Sequence, residues 1–181
     1  MAVDMDDFWV FGYGSLMWNP GFAYEMKTPA KTFGYRRSLC VRSFVHRGTP
    51  ERPGLVLGLD RGGSCQGMAF KVAAKTSAGV LSYLRERELV THVYRERVMP
   101  VLLPGGQRIA ALGYVVDRTH AQYAGGLSPH EAAAIVSVSS GKSGANPEYV
   151  SNTLAHLHEM GIRDPWLEDV VALVEQMQGQ P

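Results

Sequence analysis

An α+β fold, a barrel-like sheet with helices at its periphery, is what this sequence predicts, and three observations predict it. About six strand-like stretches occupy the first two thirds of the chain, and a single helical segment interrupts them. The last third changes character and carries three helix starts, each a capping residue followed by proline. Strands gathered ahead of helices argue against the regular alternation of a doubly wound sheet.

The elements follow in order. Phe8-Trp9-Val10-Phe11 is a short, wholly apolar run closed by Gly12 and Gly14. That pattern predicts a buried strand entering a tight loop. Further strands are expected over Lys31 to Arg42, Leu55 to Asp60 and Gln66 to Val72, and helical spacing covers Ser77 to Leu89. His92 to Leu103 and Gln107 to Val116 flank Pro104-Gly105-Gly106, a hairpin signal. Beyond them, Ser128-Pro129, Asn146-Pro147 and Asp164-Pro165 each set a favoured N-cap before a proline at the first helical position, where its missing N–H costs nothing. Glu131, three residues after Ser128, completes a capping box. In the final helix Leu167, Val170, Val171 and Val174 form one apolar stripe, suited to capping the barrel.

Bulk properties exclude several classes of function. A chain of 181 residues fits one domain, spanning 1–181, large enough to bury a core. The apolar fraction of 45% and charged fraction of 19% are those of an ordinary globular protein. A net charge of +1 gives no field to draw nucleic acid or an anionic membrane, so neither is expected as a partner. Two cysteines, Cys40 and Cys65, are too few for a disulfide framework or a cysteine-based metal cluster, and Cys40 is read as a packing residue. The first residues are acidic where a signal peptide is basic, and no apolar run nears the roughly 20 residues that span a bilayer. A cytoplasmic location follows by elimination, whereas nothing fixes an oligomeric state.

Function must then rest on a site. At 100° per residue, Leu81, Leu84 and Glu88 fall on the apolar side of the predicted helix, with Arg85 nearby and Glu86 nearly opposite. A carboxylate on an apolar face must be paired, hydrogen-bonded or neutral, and desolvation raises its pKa. On pattern alone two readings stand: a general base working near neutral pH, or a last-turn glutamate paired with Arg85 or Arg87.

Gly12-Tyr13-Gly14-Ser15-Leu16 is either a tight turn or a loop presenting backbone N–H groups to an anion. It is no dinucleotide fingerprint, because Met17 stands where the third glycine belongs. Ser139 to Gly144 imitates a P-loop but has Val136 where its first glycine is needed, so we read a helix-ending Gly/Ser linker with a solvated lysine. Arg36, Arg37, Arg42, His46, Arg47 and Arg52 are either carboxylate holders or solvent-facing charges. His156 and His158 do not share a helix face, and the six histidines form no metal-binding pattern. No G-x-S-x-G nucleophile elbow occurs.

Taken in order, these pieces resemble the ChaC family of glutathione-specific γ-glutamylcyclotransferases. The likeness runs from Val10-Phe11-Gly12-Tyr13-Gly14-Ser15-Leu16-Met17-Trp18-Asn19-Pro20 through Gly34-Tyr35-Arg36-Arg37 and His46-Arg47-Gly48-Thr49-Pro50-Glu51-Arg52-Pro53-Gly54. It returns at Tyr83 to Glu88, at Tyr94, and at Asn146-Pro147-Glu148-Tyr149. The resemblance implies a small mixed β-barrel with surrounding helices. It implies conversion of glutathione into 5-oxoproline and cysteinylglycine without metal or organic cofactor. It makes Glu88 the acid/base, has Tyr13, Gly14, Ser15 and Leu16 bind the γ-glutamyl portion, and brings Arg37 and Tyr149 to the substrate pocket. Two departures stand out. Some relatives follow the Arg-Glu pair with Lys-Gly-Gly-Tyr, whereas here Tyr94 comes later, and Val45 precedes His46 where a polar residue is expected. Rival readings are an enzyme for other γ-glutamyl amino acids or amines, and a binding module without chemistry. A buried carboxylate with no task is a costly feature, which weighs against the second.

Overall fold

The structure, a computed structural model, describes residues 6–179. The chain divides into two compact units. One comprises the chain up to Arg37 together with Leu59–Asp117, and the other Ser38–Gly58 and the chain from Arg118 on.

Five strands close a mixed barrel: β1 (Phe8–Gly12), β2 (Met26–Ser43), β3 (Gly54–Val72), β4 (Tyr94–Leu102) and β5 (Arg108–Val116), ordered β1-β3-β2-β4-β5. β1 pairs antiparallel with β3, from Phe8↔Val72 to Gly12↔Met68, and parallel with β5 at Trp9↔Ala111 and Val10↔Leu112. Closure leaves no row of unpaired backbone groups at an edge. Successive residues of a strand point to opposite faces, yet Val10 and Phe11 are both buried, so β1 is covered on both sides. That is why its sequence is wholly apolar rather than alternating.

Two of the expected strands prove to be one. Leu55–Asp60 and Gln66–Val72 are parts of β3, which runs on through exposed Arg61–Ser64. Gly62 and Gly63 take φ of 99° and 70°, so the pair kinks the strand without ending it. A Cβ on Gly62 would lie 2.7 Å from Arg36 Nη1, so glycine there admits that arginine. β4 begins at Tyr94, not His92, because His92 adopts the left-handed region at φ 59°.

Between the early and late strands, α1 (Ala74–Glu88) starts three residues ahead of the expected Ser77. Asp7 makes the early start possible, since its Oδ1 accepts the Ala74 N–H at 2.8 Å. Ser77, Val80 and Leu84 are the buried residues of the helix.

The second unit is mainly helical: α2 (Pro129–Val136), a two-stranded ribbon of β6 (Ser140–Gly141) and β7 (Gly144–Ala145), α3 (Asn146–Glu159) and α4 (Pro165–Gly179). α2 and α3 both pack on α4, whose buried stripe is Leu167, Val170, Val171 and Val174 as expected. The capping box is present: Ser128 Oγ accepts the Glu131 N–H at 3.1 Å and Glu131 Oε2 accepts the Ser128 N–H at 2.7 Å. Asp164 caps α4 through the Leu167 N–H at 3.1 Å.

Asn146 departs from expectation. Ala145 is the N-cap of α3, and Asn146 lies inside the helix with no exposed surface. Its amide pairs with the main chain of Leu55, accepting the N–H at 2.8 Å and donating to the carbonyl at 2.8 Å. A side chain thus satisfies a stretch of β3 as a neighbouring strand would. The Gly/Ser segment is the turn of the β6–β7 ribbon, with Lys142 exposed as predicted. The N–H groups of Lys142 and Ser143 donate to the carbonyls of Val45 and His46 at 2.8 and 2.9 Å, so no phosphate cradle forms.

Candidate active site

The buried face of α1 runs from Val80 to Leu84 and ends on Glu88, one turn further on. The Glu88 side chain is 17% exposed. Burial raises its pKa above the ordinary carboxylate range, and the Arg87 charge opposes that rise. Arg87 is the ion-pair partner, with Nε 3.5 Å from Glu88 Oε1. Arg85, the other arginine the sequence offered, turns away to Glu96. Leu81 is half-buried, and Glu86 is exposed as its helical phase requires.

Glu96 on β4 is in the opposite electrostatic state. Arg85 grips its carboxylate with Nε and Nη2 at 3.0 and 2.9 Å, and Tyr114 on β5 donates its hydroxyl at 3.2 Å. The Arg85 guanidinium, with help from Tyr114, holds Glu96 below the usual carboxylate range. Tyr114 is 1% exposed, and its hydroxyl is pushed well above its ordinary pKa, first by burial, then by Glu96 and, less strongly, by Glu88. Two carboxylates thus share a neighbourhood while their affinities for a proton are driven apart, which is how acid/base sites are arranged.

The loop after β1 is a short 3-10 turn, Ser15–Met17, with Tyr13, Leu16 and Met17 buried and Ser15 exposed. Its carbonyls are taken by cations. Arg37 Nε donates to Tyr13 O at 2.7 Å, Lys27 Nζ to Met17 O at 2.7 Å, and Arg87 Nη1 to Asn19 O and Pro20 O at 2.7 and 3.1 Å. Arg87 Nη2 also donates to Ser15 Oγ at 2.9 Å. Within the turn, Met17 N–H bonds Gly14 O. The first N–H groups of such a turn have no acceptor inside it and are its natural contacts for an anion.

Glu88, Tyr13, Gly14, Ser15, Leu16 and Arg37 all belong to the barrel unit. Arg37 is buried and also donates to Gln66 O at 2.6 Å, so it braces the loop from within. Tyr149 belongs to the helical unit, where its hydroxyl accepts the Leu57 N–H at 3.0 Å and its ring lies 5.4 Å from the Arg47 guanidinium. Three of the other basic residues are engaged too: Arg36 with the Arg61 carbonyl and Asp60, Arg47 with Ala145 O at 3.1 Å, and His46 Nδ1 with Ser143 Oγ at 2.9 Å. No group of three or more His, Cys, Asp or Glu among the described residues is placed to hold a metal ion. No described helix is long and apolar enough to cross a membrane.

Sequence reasoning missed Glu96, Tyr114 and the loop contacts of Arg87. The only available signal was the position of Arg87 beside Glu88.

The barrel unit thus holds a desolvated carboxylate and a glycine loop braced by cations, linked through Arg87. The chain belongs to the ChaC-like protein family, which matches residues 8–177. It is 30% identical over 169 residues to the glutathione-specific γ-glutamylcyclotransferase of Escherichia coli (strain K12), covering 93% of this chain and 73% of that one. It is 36% identical over 173 residues to the enzyme of the same name from Schizosaccharomyces pombe, covering 82% of this chain and 83% of that one. A crystal structure of the yeast glutathione-specific γ-glutamylcyclotransferase superposes with a TM-score of 0.85 at 23% identity, covering 95% of this chain and 97% of the other, which establishes the shared fold.

Proposed function

We propose that this protein is a glutathione-specific γ-glutamylcyclotransferase, with Glu88 as its acid/base. The observation that carries the proposal is the burial of Glu88 at the end of α1, joined through Arg87 to the Tyr13–Leu16 loop. The reaction is an internal acyl transfer. The α-amine of the γ-glutamyl group attacks its own γ-carbonyl carbon, a C–N bond closes the five-membered ring, and the C–N bond to cysteinylglycine breaks. No protein nucleophile is required, because attacking and attacked groups are tethered.

The protein has two tasks. It must fold the γ-glutamyl chain into attack geometry, an orientation effect able to supply several kcal/mol of the barrier. It must also take a proton from the α-ammonium and return one to the leaving nitrogen. Glu88 performs both transfers, and its raised pKa brings the carboxyl nearer the pH at which it must accept and donate. The loop N–H groups at Gly14, Ser15 and Leu16 meet the α-carboxylate or the developing oxyanion; losing one such donor typically slows a reaction about 10²–10³-fold. Arg37 serves the site by holding Tyr13. The mechanism needs neither metal nor organic cofactor, and draws only on residues of the barrel unit. Cys40 and Cys65 are both buried and take part in no disulfide, which suits a reducing, cytoplasmic setting.

Product analysis tests the proposal. Purified protein incubated with glutathione in chelator should release 5-oxoproline and cysteinylglycine in equal amounts, and γ-glutamylalanine should be turned over poorly. Absence of both products would defeat the reaction; equal use of γ-glutamylalanine would defeat the specificity.

A further inference from the structure

Arg87 reaches five groups at once. Nη1 donates to Asn19 O at 2.7 Å, Pro20 O at 3.1 Å and the Tyr83 hydroxyl at 3.1 Å, Nη2 donates to Ser15 Oγ at 2.9 Å, and Nε faces Glu88 Oε1 at 3.5 Å. Its side chain is 21% exposed. Arg37 and Lys27 also brace the loop, through the carbonyls of Tyr13 and Met17. Arg87 both bonds a loop side chain and pairs with the proposed base.

The directions of these bonds are fixed by chemistry. A guanidinium has five N–H donors and no acceptor, so Ser15 Oγ must accept from it. A serine hydroxyl carries one donor and two acceptor sites. With one acceptor site filled by Arg87, Ser15 keeps its O–H proton and a second acceptor site; an acceptor oxygen of a ligand can take only the proton, and Ser15 is exposed. We propose that Arg87 is the positioning residue of this site, fixing Ser15 as a hydrogen-bond donor to an oxygen of the γ-glutamyl group and holding the loop in register with Glu88. The proposal rests on the γ-glutamyl reading above and adds to it the polarity of one contact and the residue that sets it.

Lysine cannot replace arginine here. A single ammonium keeps the charge beside Glu88 but cannot span Ser15 on one nitrogen and the Asn19 and Pro20 carbonyls on another. Kinetics of 5-oxoproline release should be compared for wild type, Arg87→Lys, Ser15→Ala and the double variant, with melting temperatures beside them. Each single variant should lower kcat/KM about 10²–10³-fold, in line with the loss of one oriented donor. The double variant should be little worse than either, because both changes remove the same oriented donor. A rise in KM puts the Ser15 proton on the α-carboxylate and a fall in kcat puts it on the γ-carbonyl oxygen; either supports the donor role. A merely structural Arg87 would give additive losses that track the melting temperature, and that result overturns the proposal. So does wild-type kcat/KM in Arg87→Lys or, should that variant not fold, in Ser15→Ala. Wild-type turnover of glutathione is the separate check. Its absence defeats the reaction, and this role with it; its presence with unchanged variants defeats the role alone.

Discussion

Replacing Glu88 with glutamine removes a charge from a mostly buried position and keeps the shape of the side chain, and its two consequences run in opposite directions. Burial raises the carboxyl's pKa from the ordinary 4.5, with Arg87 offsetting part of the rise. Between 4.5 and the raised folded value, the folded protein holds more of this proton than the unfolded chain does. Stability therefore falls as pH climbs through that window, and the whole deficit is present above it. The side chain is 17% exposed and partly compensated by an arginine, so the deficit is set by burial with the Arg87 charge subtracting from it. Glu88→Gln should therefore melt higher than wild type at pH 8, and the advantage should shrink as pH falls toward 4.5. Turnover should drop about 10²–10⁴-fold, the usual contribution of a general acid/base. Thermal melts from pH 4.5 to 8, paired with 5-oxoproline release, measure both. Exposed Glu86, whose Oε1 accepts from Ser82 Oγ at 3.4 Å, gives the matched control, and Glu86→Gln should change neither. A variant that melts lower than wild type at pH 8, or turns over at the wild-type rate, refutes the reasoning.

Other substitutions test the frame around the site. Asn146→Ala strips both partners from the Leu55 main chain at a fully buried position, and an orphaned group costs about 1–3 kcal/mol, so urea unfolding should show a loss of about 2–6 kcal/mol; less than 1 contradicts the account. Ser128→Ala removes half of a capping box and should lower stability by about 1 kcal/mol with turnover intact. Gly21→Ala adds a Cβ 2.1 Å from the Tyr83 hydroxyl at φ 72°, so about 1–2 kcal/mol of stability should go. Turnover should fall with it, because Arg87 donates to that hydroxyl; a variant as active and stable as wild type removes Tyr83 from the argument.

What the sequence disclosed was local. β1, the β4–β5 hairpin and the caps of α2 and α4 depend on neighbours within a few residues, and their signals were legible. Glu88 was legible as well, because a helical phase set by Leu84 carries it onto the buried face. Glycine misled once: Gly62-Gly63 reads as a strand break, but in a closing barrel the pair supplies a kink and room for Arg36. Asn146 misled for a related reason, since an asparagine before proline reads as a cap until Leu55, 91 residues away, claims its amide. The contacts that assemble the site are long-range. Arg87 meets Ser15, Asn19 and Pro20 across 72, 68 and 67 residues, and no local pattern encodes such a meeting. The Arg-Glu doublet was visible, but what its arginine does was not.

Those separations also set an order of events on the ribosome. Lys27 follows its partner Met17 by 10 residues and Arg37 follows Tyr13 by 24, so both can engage soon after the loop emerges. Arg87 arrives 72 residues behind Ser15. At roughly 5–20 residues per second, that is a wait of about 4–14 s. During it the nascent chain already carries the Tyr13–Leu16 loop but lacks the side chain proposed to orient it. The proposed base, Glu88, is the next residue to be made. The positioning arginine and the proposed base therefore enter the growing chain one residue apart.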